Sequence, residues 1–596
     1  MVRWLIVVGV WLAGLAALAL ALGIGSGWWI LAVIALALAC LGTWDLIQRR
    51  HSILRNYPIL GHARFLLEKI RPEIQQYFIE SSTDGTPFDR ETRDLVYERA
   101  KGTKDDEPFG TERDVHAPGY EFMAHSLRAR HAPEATPTVR LGGPDCTQPY
   151  DIALLNVSAM SFGSLSANAV EAMNAGAARG GFAHDTGEGG ISPYHRKHGG
   201  DLIWEIGSGY FGCRTPDGRF DPEIFAAKAV DPQVKAISIK LSQGAKPGLG
   251  GVLPGAKVSQ EIADTRGVPV GVTVISPPAH SAFDTPLELI EFISTLRALS
   301  GGKPVGFKLC VGSRAEFLGI CKAMLETGTA PDFIIVDGSE GGTGAAPVEF
   351  EDHMGMPLTE GLMLVHNALV GTGLRDRIRI GASGKVASGS DIVKRIIQGA
   401  DFTLAARAML FAVGCIQAQA CHTNHCPVGV ATQDRARSRS IDVPDKSARV
   451  YRFQKSTVAS AKQLIASMGL DGFDELRPSM LNRRVDAITT KTYADLYEWL
   501  QSGELLEDPP AGWLNDWIDA DAARFLRVGR AAASLREVPV DPVDGLHAEQ
   551  VGPPPVRVGE QPLQVAVARR IGDVGTARPV AGREITRILC GYKGHR

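Results

Sequence analysis

The feature that most constrains the fold is an alternation of short β-rich runs with longer helical stretches, which begins near Tyr150. Such alternation is typical of βα units that build a parallel sheet. Eight runs are predicted to be strands: Ile152–Val157, Gly181–Asp185, Ala236–Lys240, Gly271–Ile275, Val305–Cys310, Asp332–Asp337, Arg377–Gly381 and Asp401–Ala405. Eight strands in about 250 residues match the size of a (βα)8 barrel, an α/β fold. A doubly wound open sheet is the alternative.

Glycine-rich loops favour the barrel, because they follow the C-terminal ends of predicted strands, where barrel enzymes build their active sites. They are 160–164, 186–190, 244–251, 338–344 and 381–384. Glycine lets backbone approach a ligand closely, so five such loops at one rim indicate a large ligand. Barrels of this type often bind phosphate after strands seven and eight. The predicted phosphate contacts are Gly381, Ser383, Gly384, Ala406 and Arg407, although Arg407 also fits a surface ion pair.

Three of the nine cysteines lie close together near the end of the predicted barrel. Cys415, Cys421 and Cys426 form a C-x5-C-x4-C pattern, and a proline follows the last of them. Clustered thiolates followed by proline are typical of iron–sulfur sites. Three ligands suit a three-iron cluster, whereas a distant fourth ligand would give a four-iron cluster. A zinc ion with His422 or His425 as fourth ligand and plain structural thiols are the alternatives.

The N-terminus carries two apolar runs, Leu5–Ile24 and Trp28–Ile47, each long enough to span a membrane. Only residues 25–27 separate them, so we predict a transmembrane helical hairpin. The flanking arginines are Arg3, Arg49, Arg50 and Arg55. By the positive-inside rule, they put both ends and the catalytic body on the cytoplasmic side of the cell inner membrane. A cleaved signal peptide is the alternative, and the uninterrupted spans give no support for transport.

Composition narrows the classes of partner. The 63 Lys and Arg nearly balance the 66 Asp and Glu, so charge gives no reason to propose nucleic acid as a partner. Nine cysteines are few and odd in number, which argues against a disulfide scaffold and for a reducing compartment.

Five segments are predicted along the chain. They are the transmembrane hairpin (1–50), a connecting helical and irregular region (51–149), the barrel with its cysteine loop (150–434), a helical extension (435–505) and a tail rich in Pro and Arg (506–596). Helices are expected at 72–80, 448–468 and 490–502.

Seven ordered motifs carry a family resemblance. They are Ser161-Phe-Gly-Ser, Thr186-Gly-Glu-Gly-Gly, Gln243-Gly-Ala-Lys-Pro-Gly, Leu253-Pro-Gly-Ala-Lys-Val, Ile275-Ser-Pro-Pro, Gly341-Gly-Thr-Gly-Ala, and Cys421-His-Thr-Asn through Cys426-Pro-Val-Gly-Val-Ala-Thr-Gln. From residue 157 to 433, with a fainter continuation to about 481, the chain resembles the synthase domain of glutamate synthase.

The resemblance implies an FMN-binding barrel with a three-iron, four-sulfur cluster on the three clustered cysteines. It implies reduction of 2-iminoglutarate, formed from 2-oxoglutarate and ammonia, to glutamate. Around the oxo acid, Arg266 would bind a carboxylate in a bidentate fork and Lys246 would orient the carbonyl or second carboxylate. Glu188 would handle a proton at the imine nitrogen. Each of the three also fits an ordinary surface or ion-pair role.

The expected flavin contacts lie in the loops and strands of the barrel. They are Met160, Ser161, Lys240, Lys308, Gly342 and Thr343, together with the phosphate contacts given above. A cation beside the flavin ring would stabilise its anionic reduced form, and either lysine fits that place. A buried ion pair is the alternative for each lysine.

The chain also departs from the family pattern. No glutaminase domain precedes the barrel, so ammonia is expected free or from another polypeptide. Leu249 and Val252 stand where the family has Glu and Gln, which favours a related amine-transferring or dehydrogenating reaction on a less polar substrate as an alternative. No dinucleotide fingerprint follows a strand, so we expect an external electron donor such as ferredoxin. A non-catalytic membrane redox protein is the remaining alternative, and a homo-oligomer is compatible with each of these functions.

Overall fold

The computed structural model describes residues 2–526; the part of the predicted tail beyond residue 526 lies outside them. Eight parallel strands close into one barrel, in which the eighth strand pairs with the first. The barrel strands are β1 (Leu155–Val157), β2 (His184–Asp185), β3 (Leu202–Ile206), β4 (Val234–Lys240), β5 (Val305–Leu309), β6 (Phe333–Asp337), β7 (Arg379–Ser383) and β8 (Phe402–Ala405). The predicted (βα)8 barrel is confirmed, and closure rules out the open sheet.

One predicted strand is wrong. Val274–Ile275, from the predicted run 271–275, pairs antiparallel with Val252–Leu253 in a two-stranded ribbon outside the barrel. The third barrel strand is β3, whose five residues are all buried between β2 and β4. Its sequence contains a charged residue, Glu205, which can be buried because it pairs with a lysine of β5. The loop 244–251 therefore follows the fourth barrel strand rather than the third.

Helices cover the outside of the barrel, and side-chain caps fix the first turns of several of them. Thr285 and Glu288 form a capping box, in which each side chain accepts a hydrogen bond from the other residue's backbone N–H. The helices that follow barrel strands are Ala167–Gly180, Pro193–Arg196, Pro222–Ala229, Gln260–Arg266, Pro286–Leu299, Arg314–Thr327, Val348–His353, Leu358–Gly371, Gly389–Ile397 and Arg407–Val413. Short 3-10 turns lie at Gly255–Lys257, Arg375–Arg377 and Cys421–Thr423.

The N-terminal region begins with two helices, Val2–Gly23 and Trp28–Ile47, that are long and apolar enough to cross a membrane. They pack against each other, as a hairpin requires. Three helices follow, Ser52–Asn56, Gly61–Ile74 and Arg90–Lys101, and a π-helical turn at Gln75–Ile79 continues the second of them. The helix expected at 72–80 is therefore confirmed.

The polypeptide on either side of the barrel forms two small sheets. Thr138–Leu141 pairs with Tyr150–Ala153, so the predicted strand 152–157 is divided between this sheet and β1. The other sheet joins three antiparallel strands in the order Glu121–Met123, Leu481–Arg484 and Thr490–Thr492.

The C-terminal extension is only partly helical. The helices are Arg435–Ser438, Val443–Ser467, Tyr493–Leu496 and Glu504–Glu507, with 3-10 turns at Phe473–Glu475 and Pro478–Met480. A further helix, Ala511–Asp519, lies in the segment predicted as a tail. The long helix confirms the one expected at 448–468. The helix expected at 490–502 is wrong, because its β-branched start pairs as a strand and its helical part ends at Leu496.

Candidate active site

A cavity of about 990 Å³ lies at the C-terminal ends of the barrel strands. Most of the residues predicted for the site line it: Met160, Ser161, Glu188, Lys240, Lys246, Arg266, Lys308, Gly342, Thr343, Ala406, Arg407, Cys415 and Cys421. Four predicted residues are not in its wall, namely Gly381, Ser383, Gly384 and Cys426. Glu205, Gln243 and Lys385 line the cavity without having been predicted.

An ion pair joins the loop after β2 to the end of β4. The Nζ of Lys240 lies 3.0 Å from Glu188 Oε1, and both side chains are largely buried. Ser276 Oγ donates a hydrogen bond of 3.2 Å to the other carboxylate oxygen. Burial by itself would raise the pKa of Glu188, but the cations of Lys240 and Arg266 outweigh it, so the pKa lies below its usual range. Glu188 is therefore ionised at neutral pH.

A second buried ion pair lies deeper in the barrel. Lys308 Nζ of β5 is 2.5 Å from Glu205 Oε2 of β3, and the carboxylate is only 1% exposed. Burial by itself would lower the pKa of Lys308, but Glu205, Asp337 and Asp185 raise it, so the lysine stays charged. Burial, and next the neighbouring Glu205, raises the pKa of Asp185 to about 8. Lys308 thus lines the cavity and forms the buried ion pair that was the alternative expected for it.

Arg266 and Lys246 line the cavity but also bind the polypeptide. Arg266 Nη2 donates to Phe162 O at 3.0 Å and to Ser161 Oγ at 3.2 Å, and thereby holds the loop after β1. Its Nε is buried and has no hydrogen-bond partner among the residues that the structure describes. Burial lowers the pKa of Arg266 to about 10. Lys246 Nζ donates to Ala345 O at 2.9 Å.

Two cations meet where the loops after β7 and β8 reach the cavity. Arg407 donates to Glu340 O at 2.6 Å, and its guanidinium lies 4.8 Å from the centre of the Phe88 ring. Burial lowers the pKa of Lys385, and the nearby Arg407 lowers it further. An anion bound between two such cations would relieve their repulsion, so this end of the cavity fits a phosphate. Lys385 directly follows the Gly-rich run after β7, which is the signal that could have identified it.

The predicted phosphate contacts of β7 lie elsewhere. Gly381 and Ser383 belong to the strand itself, and Ser383 Oγ forms a 3.0 Å hydrogen bond with Ser158 Oγ. Gly384 follows the strand, with φ of 156°. The structure therefore brings the lysine after these residues, rather than the residues themselves, to the cavity.

Several loop glycines serve packing within the polypeptide. A Cβ on Gly244 would lie 2.0 Å from Gly338 O, so the loops after β4 and β6 can touch only because this position lacks a side chain. A Cβ on Gly251 would lie 2.0 Å from Glu188 Oε1. These glycines thus let the loops at the C-terminal end of the barrel pack on one another. The close approach to a ligand that was expected of them stays a prediction.

The cysteine loop forms one side of the cavity. Cys415 and Cys421 line it, and Cys426 is buried beside them. Gln417, Gln419 and Asn424 between them adopt positive φ values of 57°, 52° and 66°. Burial, with the neighbouring thiols adding to it, raises the pKa of Cys415 to about 12.

The donor set in this loop consists of thiols, the ligand type of iron–sulfur clusters. Among residues 2–526, no group of three His, Cys, Asp or Glu side chains is arranged to hold a single metal ion. In an iron–sulfur cluster the thiolates bind separate irons, so close convergence is not needed. Three cysteines within one short loop therefore fit a cluster.

Hydrogen bonds join the cysteine loop to the region 51–149, which was predicted only as a connecting segment. Gln417 Nε2 donates to Thr86 O and Phe88 O, at 3.3 and 3.0 Å, and its Oε1 accepts from Phe88 N at 3.2 Å. Tyr97 donates its hydroxyl to Cys415 O at 2.7 Å. Thr86 also lines the cavity. More than 300 residues separate these partners along the chain, so no local pattern could have identified the contact.

Comparison with known proteins decides the family. The model of the conserved region in glutamate synthase matches residues 145–471. The chain belongs to the glutamate synthase family. It is 38% identical over 465 residues to the glutamate synthase large subunit-like protein YerD of Bacillus subtilis. This match covers 71% of the chain and 88% of YerD.

Two other members of the glutamate synthase family match the barrel region. The archaeal glutamate synthase [NADPH] of Archaeoglobus fulgidus is 34% identical over 54% of this chain and 60% of its own length. The ferredoxin-dependent glutamate synthase 2 of Synechocystis is 34% identical over 56% of this chain, but only 22% of its own length is covered. By this membership the protein is an oxidoreductase of the glutamate synthase type.

The family match encloses both ion pairs, Arg266 and the whole cysteine loop. It begins after Thr86 and Phe88, which fasten that loop. The site of this glutamate synthase family member therefore combines a family barrel with a wall from its own N-terminal region.

Proposed function

We propose that the protein reduces 2-iminoglutarate, formed from 2-oxoglutarate and ammonia, to glutamate, with FMN and an iron–sulfur cluster as cofactors. One observation carries the proposal. A single cavity joins the buried ion pairs at the barrel rim to the thiols of Cys415 and Cys421. A cluster on the cysteine loop would therefore lie close to a flavin in the barrel, as electron transfer between them requires.

FMN fits the barrel side of the cavity. Lys385 and Arg407 would hold its phosphate, and the loop at Met160 and Ser161 would pass beside its ring. The further contacts proposed are Gly342, Thr343 and Ala406, which line the same cavity. When bound, FMN supplies two-electron reduction and one-electron exchange. Lys308 would stabilise negative charge on the reduced ring.

The three cysteines of the loop would hold the cluster, with three irons most consistent with three ligands. Burial opposes loss of the thiol protons of Cys415 and Cys421. Bound iron would offset that cost, because a metal binds the thiolate and displaces the proton.

The substrate side would use Glu188, Lys246 and Arg266. Arg266 would bind a carboxylate, and its unpartnered buried Nε supports that role. Lys246 would orient the carbonyl or second carboxylate. Because Glu188 is ionised, it would accept a hydrogen bond from the protonated imine nitrogen.

Electrons and ammonia would come from outside the chain. Named relatives use NADPH or ferredoxin, and we propose an external donor such as ferredoxin here. The two apolar helices would anchor the enzyme in the inner membrane. Arg49, Arg50 and Arg55 after the second helix would keep the barrel on the cytoplasmic side.

A less polar oxo acid is the second candidate substrate. Val252 lines the cavity with half of its side chain exposed, where an apolar group on a substrate could contact it. A related amine-transferring or dehydrogenating reaction on such an acid would use the same ion pairs and cysteine loop.

The test is anaerobic turnover of the full chain with reduced ferredoxin, 2-oxoglutarate and ¹⁵N-ammonium. We expect ¹⁵N-glutamate that requires all three, and a large loss of rate in Glu188→Gln. A parallel series replaces 2-oxoglutarate with oxo acids that carry apolar side chains. Flavin that is reduced by ferredoxin while no ¹⁵N-glutamate forms would contradict the proposal, and turnover of an apolar oxo acid would then favour the second candidate.

A further inference from the structure

The helix after the membrane hairpin has an exposed apolar face. Leu66 and Leu67 are 60% and 59% exposed, and Phe78, in the π-helical turn, is 84% exposed. The face consists of Leu66, Leu67, Ile70, Ile74, Tyr77 and Phe78, and we call it the apolar face of helix 61–79. Spacings of three and four residues put these side chains on one side of the helix. Removing these apolar side chains from water would be favourable.

The other side of this helix is charged. Arg64 and Glu68 form an ion pair of 2.8 Å one turn apart, and Lys69 and Arg71 are exposed as well. A helix with one apolar and one charged side is stable at a boundary, where its apolar side contacts nonpolar groups and its charged side contacts water. The surface of a lipid bilayer is such a boundary.

The beginning of the helix is fixed to the end of the second membrane helix. The buried carboxylate of Asp45 accepts hydrogen bonds from Ile59 N at 2.9 Å and from His62 Nε2 at 2.9 Å. Trp44 beside it is 65% exposed, as in the aromatic belts at membrane interfaces. Helix 61–79 therefore starts at the depth where the membrane span ends.

Charge also favours lipid over a second protein. Between residues 49 and 73 there are six basic and two acidic residues. Anionic lipids on the cytoplasmic leaflet attract such a basic segment. An exposed apolar face at the end of a span, within a basic segment, matches a bilayer surface in both chemistry and position.

The far end of the helix binds the cysteine loop. Gln76 Nε2 donates a hydrogen bond of 2.9 Å to Ile416 O, next to Cys415. We propose that helix 61–79 binds the bilayer surface through its apolar face and so holds the cysteine loop beside the membrane. The inference rests on the proposed membrane hairpin, and it would let a donor reach the loop along the membrane surface.

The test uses the full chain in vesicles of phosphatidylcholine and phosphatidylglycerol, with p-benzoylphenylalanine introduced at single positions. The probe replaces Leu67 on the apolar face, Glu68 on the charged side as the matched control, or Ile34 within the second membrane helix. After irradiation, mass spectrometry identifies what each probe has captured. We expect phospholipid adducts from positions 67 and 34, with a yield at 67 about tenfold above that at 68.

The outcomes separate this inference from the membrane hairpin itself. Lipid capture at 34 with equal, low capture at 67 and 68 would overturn the interfacial helix and leave the hairpin intact. Lipid capture at none of the positions would contradict the hairpin and the inference together. A cross-linked dimer from position 67, without lipid, would show that a second copy covers the face and would also overturn the inference.

Discussion

The barrel interior and the cysteine loop hold their reactive side chains in different ways. In the barrel, Lys308 pairs with Glu205 and Lys240 with Glu188, so these charges are positioned by partners in the same chain. In the cysteine loop, backbone geometry positions the thiols, and burial keeps the pKa of Cys415 high. Substitutions in the barrel should therefore affect stability, whereas substitutions in the loop should affect redox chemistry with little change in the fold.

The largest effect is expected in the loop. Cys421→Ser should lose most of the bound iron and most electron transfer from ferredoxin, because a serine hydroxyl is a poor ligand for iron–sulfur clusters. Flavin content should stay near that of the wild type. Iron analysis, electron paramagnetic resonance and flavin absorbance on one preparation check both points.

Cys146→Ser is the matched control for this prediction, since Cys146 lies outside the loop and donates to a backbone carbonyl as serine can. Equal iron content in the Cys421→Ser and Cys146→Ser variants would contradict the assignment of the cluster.

The next effect is on stability. Lys308→Met leaves Glu205 buried without its cation, which should cost about 3–5 kcal/mol of unfolding free energy. The double variant Lys308→Met, Glu205→Gln should regain most of that loss because the carboxylate that lost its cation is replaced as well. Chemical denaturation of the three proteins checks this. Equal stability of the single and double variants would show that the pair does not organise the barrel.

Because of Asp185, we expect the free energy of unfolding to depend on pH with a sign opposite to that produced by an ordinary carboxyl group. The pKa of Asp185 is about 4 in an unfolded chain and about 8 in the folded protein. Folding therefore takes up a proton between these values, and stability falls as pH rises, by up to about 1.4 kcal/mol per pH unit. Asp185→Asn should remove this slope. Denaturation at a series of pH values measures it, and an unchanged slope would contradict the buried neutral carboxyl.

A smaller effect is expected for substrate binding. Arg266→Lys keeps the charge but loses the planar fork, so KM for 2-oxoglutarate should rise about tenfold, or 1.4 kcal/mol. Flavin content serves as the internal control because Arg266 also holds the loop after β1. A fall in kcat with unchanged KM would instead indicate a purely structural role.

The smallest effect concerns specificity. Val252→Gln should improve kcat/KM for 2-oxoglutarate relative to an apolar oxo acid about three- to tenfold, since a part-exposed hydrogen bond contributes about 1 kcal/mol. Val272→Gln is the matched control, because Val272 is equally exposed but does not line the cavity. The same change in the kcat/KM ratio in both variants would show that Val252 does not determine specificity.

Seven of the eight barrel strands were predicted from the sequence, because each lies in or overlaps a β-rich run between helical stretches. The prediction missed β3, a short run with Glu205 at its fourth position, and the lysine of β5 explains why a carboxylate is buried there. The run at 271–275 has the composition of a strand, but composition does not distinguish a surface ribbon from a barrel strand.

The sequence predicted those residues of the candidate site that belong to local motifs. Glu188, Lys246 and the cysteine loop belong to such motifs, and the structure brings most of them to one cavity. Thr86 was missed because its place depends on contacts between segments far apart in the chain, whereas Lys385 was missed although it directly follows a glycine-rich run. Gly384 has the motif but lies behind the wall, because the strand before it extends further than expected.

The most direct test is a single turnover of the protein's own flavin. The full chain is reduced anaerobically, mixed with 2-oxoglutarate, ammonium or both, and followed by flavin absorbance and glutamate analysis. The account predicts rapid reoxidation, with glutamate formed in equal amount to the flavin oxidised, only when both compounds are present. Reduced flavin that persists with both compounds, in protein with its iron intact, would contradict it.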